Sequence, residues 1–123
     1  MTIEAKVIAH SSHAGCPDLF TIQARYPRFI HSEVMTHRVF SRSASSSRAV
    51  PIARMIDEVF DDPAMPVEWG SNKAGMQAGA QIEHIVGAQA EWLEAMRLAV
   101  TSAKKLSRRG LHKQIVNRIL EPF

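Results

Sequence analysis

The chain has 123 residues, of which 46% are hydrophobic and 22% are charged, and its formal net charge is +3. This composition is that of one soluble globular domain, long enough to bury roughly two-thirds of the surface of the unfolded chain. No apolar run approaches the ~20 residues that span a bilayer and no signal-peptide pattern opens the chain, so we expect a cytoplasmic protein.

Two short strands are predicted at the N-terminal end of the chain. Ile3–Ala9 and Leu19–Tyr26 both alternate apolar and polar residues, which is typical of strands with one buried face. Residues 11–18, which include a glycine and a proline, are predicted to form the turn between them. Phe29–Arg38 then spaces its apolar residues as a helix does, so we expect a short helix that carries His37 at its C-terminal end.

A loop rich in serine and arginine follows, and four further segments complete the chain. Pro51–Phe60 is predicted to be helical, with proline in its first turn. Asp61–Gly79 is rich in glycine and proline and is expected to be irregular. Apolar residues recur every three or four positions over 81–107, which predicts a long amphipathic helix. Gly110 marks its end, and a last helix is expected after it.

The apolar stripes of these helices predict the core. The stripes consist of Ile52, Met55, Ile56 and Val59, then Ile82, Ile85, Trp92, Met96, Ala99, Ala103 and Leu106, and finally Ile115, Val116, Ile119 and Leu120. Gln89 interrupts the long stripe as a buried amide. Together these elements predict a single α+β domain over residues 1–123, in which a small, mostly antiparallel sheet packs against a long helix and shorter helices.

Three residues near the predicted turn have to be weighed as a metal site. His10, His13 and Cys16 are spaced by three residues. A structural zinc site needs four ligands and no fourth partner is nearby in sequence, so we expect unligated loop residues and no metal. Cys16 is the only cysteine, which excludes an internal disulfide and indicates a reducing compartment. It has no cationic neighbour in sequence and is a weak candidate for a nucleophile.

The segment Thr36–Arg48, named here the Ser/Arg segment, carries the densest polar chemistry of the chain. It holds one histidine, three arginines and five serines within thirteen residues. Between Arg25 and Arg54 the chain has six arginines, no lysine and a single carboxylate, Glu33. The guanidinium group donates several hydrogen bonds in one plane, and for this reason it is favoured in phosphate and carboxylate recognition. The segment therefore predicts an anion-binding surface.

Three interpretations of this segment remain open. A solvated linker has a similar composition, but predicted strands and helices brace this segment on both sides, where binding residues are commonly displayed. A nucleic-acid surface would use the arginines on backbone phosphates, yet Phe40 and Tyr26 alone do not make a stacking platform. The third interpretation is a pocket for a small phosphorylated ligand or a nucleotide cofactor.

The same residues resemble the signature of the flavin-dependent thymidylate synthases. That signature reads Arg-His-Arg, any two residues, Ser, any one residue, Asn, any two residues, Ser, any one residue, and Arg. The residues of this chain that match it are His37, Arg38, Ser41, Ser46 and Arg48. Thr36 stands where the signature has its first arginine, as in a bacterial or phage-like branch of the family, and Ser43 stands where it has asparagine.

The resemblance covers most of the chain from Leu19 onward. Trp69–Ala78 and Gly110–Pro122 also resemble segments of the bacterial or phage-like branch. The family continues beyond the position of Phe123 with a helix rich in asparagine and arginine. The resemblance therefore implies that residues 1–123 are the N-terminal part of a longer thymidylate synthase-like domain.

This resemblance implies an enzyme that converts dUMP to dTMP by reductive methylation. In the family, methylenetetrahydrofolate donates the carbon, reduced FAD supplies the hydride and NADPH regenerates the flavin. The resemblance implies that FAD contacts His37, Arg38 and Ser41, and that the subunits form a homotetramer. The residues it implies for dUMP are Ser45, Ser46, Arg48 and Arg118. The alternative from another class is a non-enzymatic nucleotide- or nucleic-acid-binding module that uses the Ser/Arg segment.

Overall fold

The computed structural model describes all residues, 1–123, and combines one antiparallel sheet with four α-helices. The elements are β1 (Glu4–Ser11), β2 (Leu19–Arg25), a 3-10 turn (Arg28–Ile30), α1 (His31–Thr36), α2 (Ile52–Asp61), α3 (Ile85–Arg108) and α4 (Lys113–Leu120). The predicted α+β class, with an antiparallel sheet and one long helix, is confirmed. None of the helices combines the length and the apolar character needed to cross a membrane.

β1 and β2 form a two-stranded hairpin whose faces are both exposed. Val7 lies opposite Ile22 and His10 opposite Phe20, and the register shifts once, between Val7 and Ala9. Every residue of both strands is exposed, and neither strand packs against a helix. The predicted buried face of the sheet is therefore corrected. Alternation shows which side chains share a face of a hairpin, but it does not show that a helix covers that face.

Charged groups attach the base of the hairpin to the end of α2. The ammonium group of Met1 lies 2.9 Å from Oδ1 of Asp62 and donates to the carbonyl oxygen of Pro63 at 2.7 Å. Nη2 of Arg25, the last residue of β2, lies 3.1 Å from Oδ2 of Asp62. The hydrogen bond from the Met1 ammonium is the main reason why the pKa of the Asp62 carboxyl is lowered.

The core lies between α2, α3 and α4. The residues buried together there are Ile56, Val59, Met96, Val100, Ala103, Val116 and Leu120. Six of the seven were predicted from the helical stripes, and Val100, one turn beyond Met96, was missed. Ile115, predicted to be part of the stripe, is 54% exposed, whereas Asn117 of the same helix is buried together with Val116 and Leu120.

An aromatic cluster centred on Trp92 joins the core to the connecting segments. The Trp92 ring makes edge contacts with Phe29 at 5.6 Å, Trp69 at 6.2 Å and Phe123 at 5.7 Å between ring centroids. Trp92 and Met96 were predicted to be core residues. Met96 is buried and Trp92 is partly buried at the edge of the core.

The segment between α2 and α3 is irregular, as predicted, but it contains one antiparallel bridge between Gly70 and Gln81. The amide of Ser71 donates to the carbonyl oxygen of Ala80, and the amide of Gly79 donates to that of Ser71, both at 2.8 Å. These hydrogen bonds close a loop that begins at Trp69, beside the aromatic cluster.

Candidate functional site

The Ser/Arg segment begins at the C-terminal end of α1. His37 caps this helix with an extended backbone, φ −78° and ψ 91°, so the helix delivers His37 as predicted. The Thr36 hydroxyl donates to the carbonyl oxygen of Glu33 at 2.6 Å, which secures the last turn of the helix. The Arg42 guanidinium donates to the carbonyl oxygen of His37 and folds the start of the segment back onto the helix end.

A tight turn closes the other end of the segment, just before α2. The amide of Ala49 donates to the carbonyl oxygen of Ser46 at 2.9 Å, and the amide of Arg48 donates to the Ser46 hydroxyl oxygen at 3.3 Å. Ser46 and Arg48 therefore lie on one turn, and both are exposed. Proline at position 51 then starts the helix with an extended backbone.

Side chains of α4 bind the carbonyl oxygens of this turn. Nδ2 of Asn117 donates to the carbonyl oxygens of Ser47 at 2.8 Å and Val50 at 2.9 Å. Nζ of Lys113, one helical turn earlier, donates to the carbonyl oxygen of Ala49 at 3.4 Å. Asn117 is fully buried and was not predicted from the sequence as a site residue. The one feature of the sequence that could have indicated Asn117 is an amide side chain among the apolar positions of a short helix.

A cleft of about 280 Å³ lies beside the turn, between the end of β2, α2 and the last residues of the chain. The polar residues that line it include Arg25, Arg28, Ser45, Ser47, Asp62 and Glu121. One carboxylate oxygen of Glu121, Oε1, is buried without a hydrogen-bond partner. The cleft thus mixes cations with carboxylates, and Ser45 is the one predicted site residue that lines it.

Carboxylates neutralise only two of the six arginines between positions 25 and 54. Arg25 pairs with Asp62 at 3.1 Å, and Arg54 pairs with Glu58 at 2.7 Å. The arginines without a carboxylate partner are Arg28, Arg38, Arg42 and Arg48. Glu33 pairs with none of them, and its carboxylate instead accepts from the Ser32 hydroxyl at 2.7 Å, which is the main reason why its pKa is lowered.

The predicted site residues fall into separate groups. Ser46 and Arg48 share the turn held by α4, and Ser45 faces the neighbouring cleft. The residues predicted for FAD, His37, Arg38 and Ser41, are exposed at the start of the segment. Arg118, on α4, has an exposed guanidinium 3.9 Å from Glu121, and no hydrogen bond or ion pair joins it to the Ser/Arg segment.

The residues near the hairpin turn form their own contacts. Nε2 of His10 lies 2.9 Å from Oδ2 of Asp18, and the His10 ring stacks on Phe20 at 4.4 Å between centroids. The amide of Cys16 donates to the carbonyl oxygen of His13 at 3.1 Å, and the Cys16 side chain is exposed. No group of three or more histidine, cysteine or acidic residues is arranged to hold a metal ion.

Comparison with known proteins identified no relative of this chain. No protein-family model, no curated protein and no solved structure matches the chain. What the site can do therefore follows from its own residues and contacts.

Proposed function

We propose that the chain is the nucleotide-binding part of a flavin-dependent thymidylate synthase, which methylates dUMP reductively to dTMP. The observation that carries this proposal is the turn at Ser46–Arg48, where Ser46 and Arg48, whose guanidinium has no partner, share a backbone held by α4. The signature-like spacing from His37 to Arg48 supports the same conclusion.

The turn has the chemistry to bind the phosphate of dUMP. Arg48 has no carboxylate partner, so its planar fork is free to make charge-assisted hydrogen bonds to a phosphate. The Ser46 hydroxyl oxygen accepts from the Arg48 amide, which leaves the hydroxyl hydrogen free to donate to an anion. Ser45 would contact the nucleotide from the cleft, and Arg118 would add a second guanidinium. Ser46 then acts as a binding hydroxyl and not as a nucleophile.

The residues at the start of the segment fit FAD by their chemistry. His37, Arg38 and Ser41 are exposed donors suited to a pyrophosphate, and beside them Val39 and Phe40 are 94% and 67% exposed. The apolar side chains would contact the rings of the dinucleotide, and the donors beside them would bind its phosphates. When bound, reduced FAD supplies the hydride of the reaction, and the residues of this chain bind and orient it.

The remaining partners follow from the resemblance. Methylenetetrahydrofolate would donate the carbon, NADPH would restore the reduced flavin, and the subunits would assemble as a homotetramer. We place the enzyme in the cytoplasm, because its single cysteine is a free thiol and no disulfide takes part in the fold.

One observation favours a second candidate, a non-enzymatic nucleotide- or nucleic-acid-binding module. Four guanidiniums of the region lack carboxylate partners, and the three on exposed residues, Arg38, Arg42 and Arg48, also suit the phosphates of a nucleic-acid backbone. The two candidates differ in what they require of the ligand. The enzyme must bind a nucleoside monophosphate and a flavin, whereas the module needs to bind only the phosphates of a nucleotide or of a nucleic-acid backbone.

Ligand binding to the purified protein tests the proposal. We expect FAD to bind with a change in its absorbance spectrum, and dUMP to perturb that spectrum, whereas deoxyuridine, which lacks the phosphate, does not. Calorimetry gives the affinity for dUMP. If neither FAD nor dUMP binds, the proposal is wrong. Binding of single-stranded DNA or RNA that weakens steeply with salt, without flavin binding, would instead support the module.

A further inference from the structure

The backbone of residues 47–50 is held by donors from a single helix. Two of the three acceptors, the carbonyl oxygens of Ser47 and Val50, bind the same side-chain nitrogen, Nδ2 of Asn117. The third, the carbonyl oxygen of Ala49, binds Nζ of Lys113. Asn117 and Lys113 are four residues apart in α4, so both side chains extend from the same side of the helix.

The orientation of the Asn117 amide follows from these partners. Both partners are carbonyl oxygens, which accept only, so the nitrogen and not the oxygen of the amide must face them. The other amide atom, Oδ1, is buried without a hydrogen-bond partner. A buried acceptor without a partner costs stability, so an apolar residue would serve the packing of α4 at least as well. The Asn117 amide therefore acts on the turn and not on the core.

These contacts bear on the electrostatics of the turn. A carbonyl oxygen carries partial negative charge and would repel an anion bound to Arg48. The donors of α4 engage the carbonyl oxygens on both sides of Arg48, those of Ser47 and Ala49. The Arg48 guanidinium, in contrast, is not used by any partner within the protein. The turn thus presents its cation outward while α4 binds its acceptors.

We propose that Asn117 is a positioning residue, which fixes the backbone at Ser47 and Val50 and so orients Arg48 for a phosphate-bearing ligand. This inference rests on the proposed function in its choice of ligand. Asn117 itself, fully buried in α4, does not touch the ligand. Ordering the turn before binding removes a cost that would otherwise reduce the affinity.

The test compares Asn117→Leu, Lys113→Met and a core control, Val100→Ala. Val100 is a buried core residue of α3 whose side chain has no group that could donate a hydrogen bond to the turn, so its truncation should lower the thermal stability and leave the hydrogen bonds of residues 47–50 in place. Two quantities are measured for each variant of the full chain. They are the amide hydrogen exchange of residues 47–50 without ligand, and the Kd for dUMP by calorimetry.

We expect Asn117→Leu to speed exchange at residues 47–50 and to raise the Kd for dUMP by about tenfold, the loss that follows from freeing two hydrogen-bonded carbonyls. Lys113→Met, on the protein surface, keeps the fold and should speed exchange near Ala49 with a smaller loss of affinity. Val100→Ala should leave both quantities within about twofold of the wild type, because its effect stays in the core.

Two results would overturn the inference. The first is unchanged exchange at residues 47–50 in both Asn117→Leu and Lys113→Met. The second is faster exchange in Asn117→Leu with a Kd for dUMP that matches the wild type or rises no more than in Val100→Ala. If the wild-type protein does not bind dUMP, the proposed function fails, and the exchange measurement, which needs no ligand, still decides whether α4 anchors the turn.

Discussion

The indole nitrogen of Trp92 donates a hydrogen bond to the carbonyl oxygen of Ala64 at 2.9 Å. Ala64 is 2% exposed, and its carbonyl oxygen lies three residues after the end of α2. The same Trp92 ring contacts Phe29, in the 3-10 turn that leads into α1. One side chain of α3 therefore supports the start of the helix that delivers His37, and also the connection that leaves α2.

Two substitutions separate the hydrogen bond of Trp92 from its ring contacts. Trp92→Phe keeps an aromatic ring but leaves a buried carbonyl without its donor, so we expect the free energy of unfolding to fall by about 1–2 kcal/mol. Trp92→Ala also removes the ring from the cluster and should cost about 3 kcal/mol, the low end for such truncations because the side chain is only partly buried. Urea unfolding followed by circular dichroism measures both. Equal losses in the two variants would show that the ring contacts contribute nothing.

Arg48 is the residue on which the proposed nucleotide site most depends. Arg48→Ala should raise the Kd for dUMP at least about tenfold, because a charge-assisted hydrogen bond to a phosphate is lost. Its thermal stability should stay close to that of the wild type, since the side chain is exposed and unpaired within the protein. Calorimetric titration with dUMP measures the affinity.

Arg54→Ala is the matched control for Arg48→Ala. Arg54 carries the same charge, but it lies on α2 and pairs with Glu58 at 2.7 Å, an exposed ion pair that contributes little. We expect its affinity for dUMP to equal that of the wild type. An unchanged Kd in Arg48→Ala would contradict the assignment, and an equal loss in both variants would show that only overall charge matters.

The helices were predictable from the sequence because their apolar residues repeat at helical spacing and pack on one another. Val59, Met96 and Leu120 each lie on such a stripe, and all three are buried in the core. The exposure of the hairpin was not predictable, because the alternation of Val7 and Ile22 with polar neighbours is compatible with a covered and an uncovered face.

The candidate site was predictable only where its residues are close in sequence. The resemblance implied that Ser46 and Arg48 bind the same ligand, and the structure places them on one turn. The contact of Asn117 with Ser47 spans 70 residues, and no local pattern encodes such a contact. Arg118 likewise makes no hydrogen bond or ion pair with the Ser/Arg segment. Its position relative to that segment depends on the tertiary structure, which spacing along the chain does not determine.

Asp62 makes the attachment of the hairpin sensitive to acid. Its carboxylate binds the Met1 ammonium and Arg25, and its pKa lies below the ordinary value of 3.8. A carboxyl group with a lowered folded-state pKa contributes stability above its ordinary pKa, and this contribution is lost as the pH falls through the lowered value. Asp62→Asn should therefore reduce the free energy of unfolding at neutral pH and flatten its decline on acidification.

Urea unfolding at a series of pH values from about 5 to 2 measures this dependence, because the pKa of an unperturbed aspartate lies in that range and the pKa of Asp62 in the folded protein is lower. Asp57→Asn is the control, since Asp57 is an exposed carboxylate of α2 without a hydrogen bond or an ion pair. Its acid dependence should match that of the wild type. If Asp62→Asn shows the same acid dependence as the wild type, the ion pairs at the base of the hairpin add no stability.

Two glycines of the α3 region should respond in opposite directions to the same substitution. Gly110 follows the C-cap of α3 with φ +80°, and its amide donates to the carbonyl oxygen of Ser107 at 2.9 Å. A Cβ there would meet no atom within 4 Å, so Gly110→Ala should cost only the left-handed backbone strain, about 1 kcal/mol. Gly87 lies inside α3 with equally open surroundings, and Gly87→Ala should add about 0.5–1 kcal/mol through helix propensity. Urea unfolding measures both changes, and an effect of the same sign in the two variants would contradict the assigned backbone conformation of Gly110.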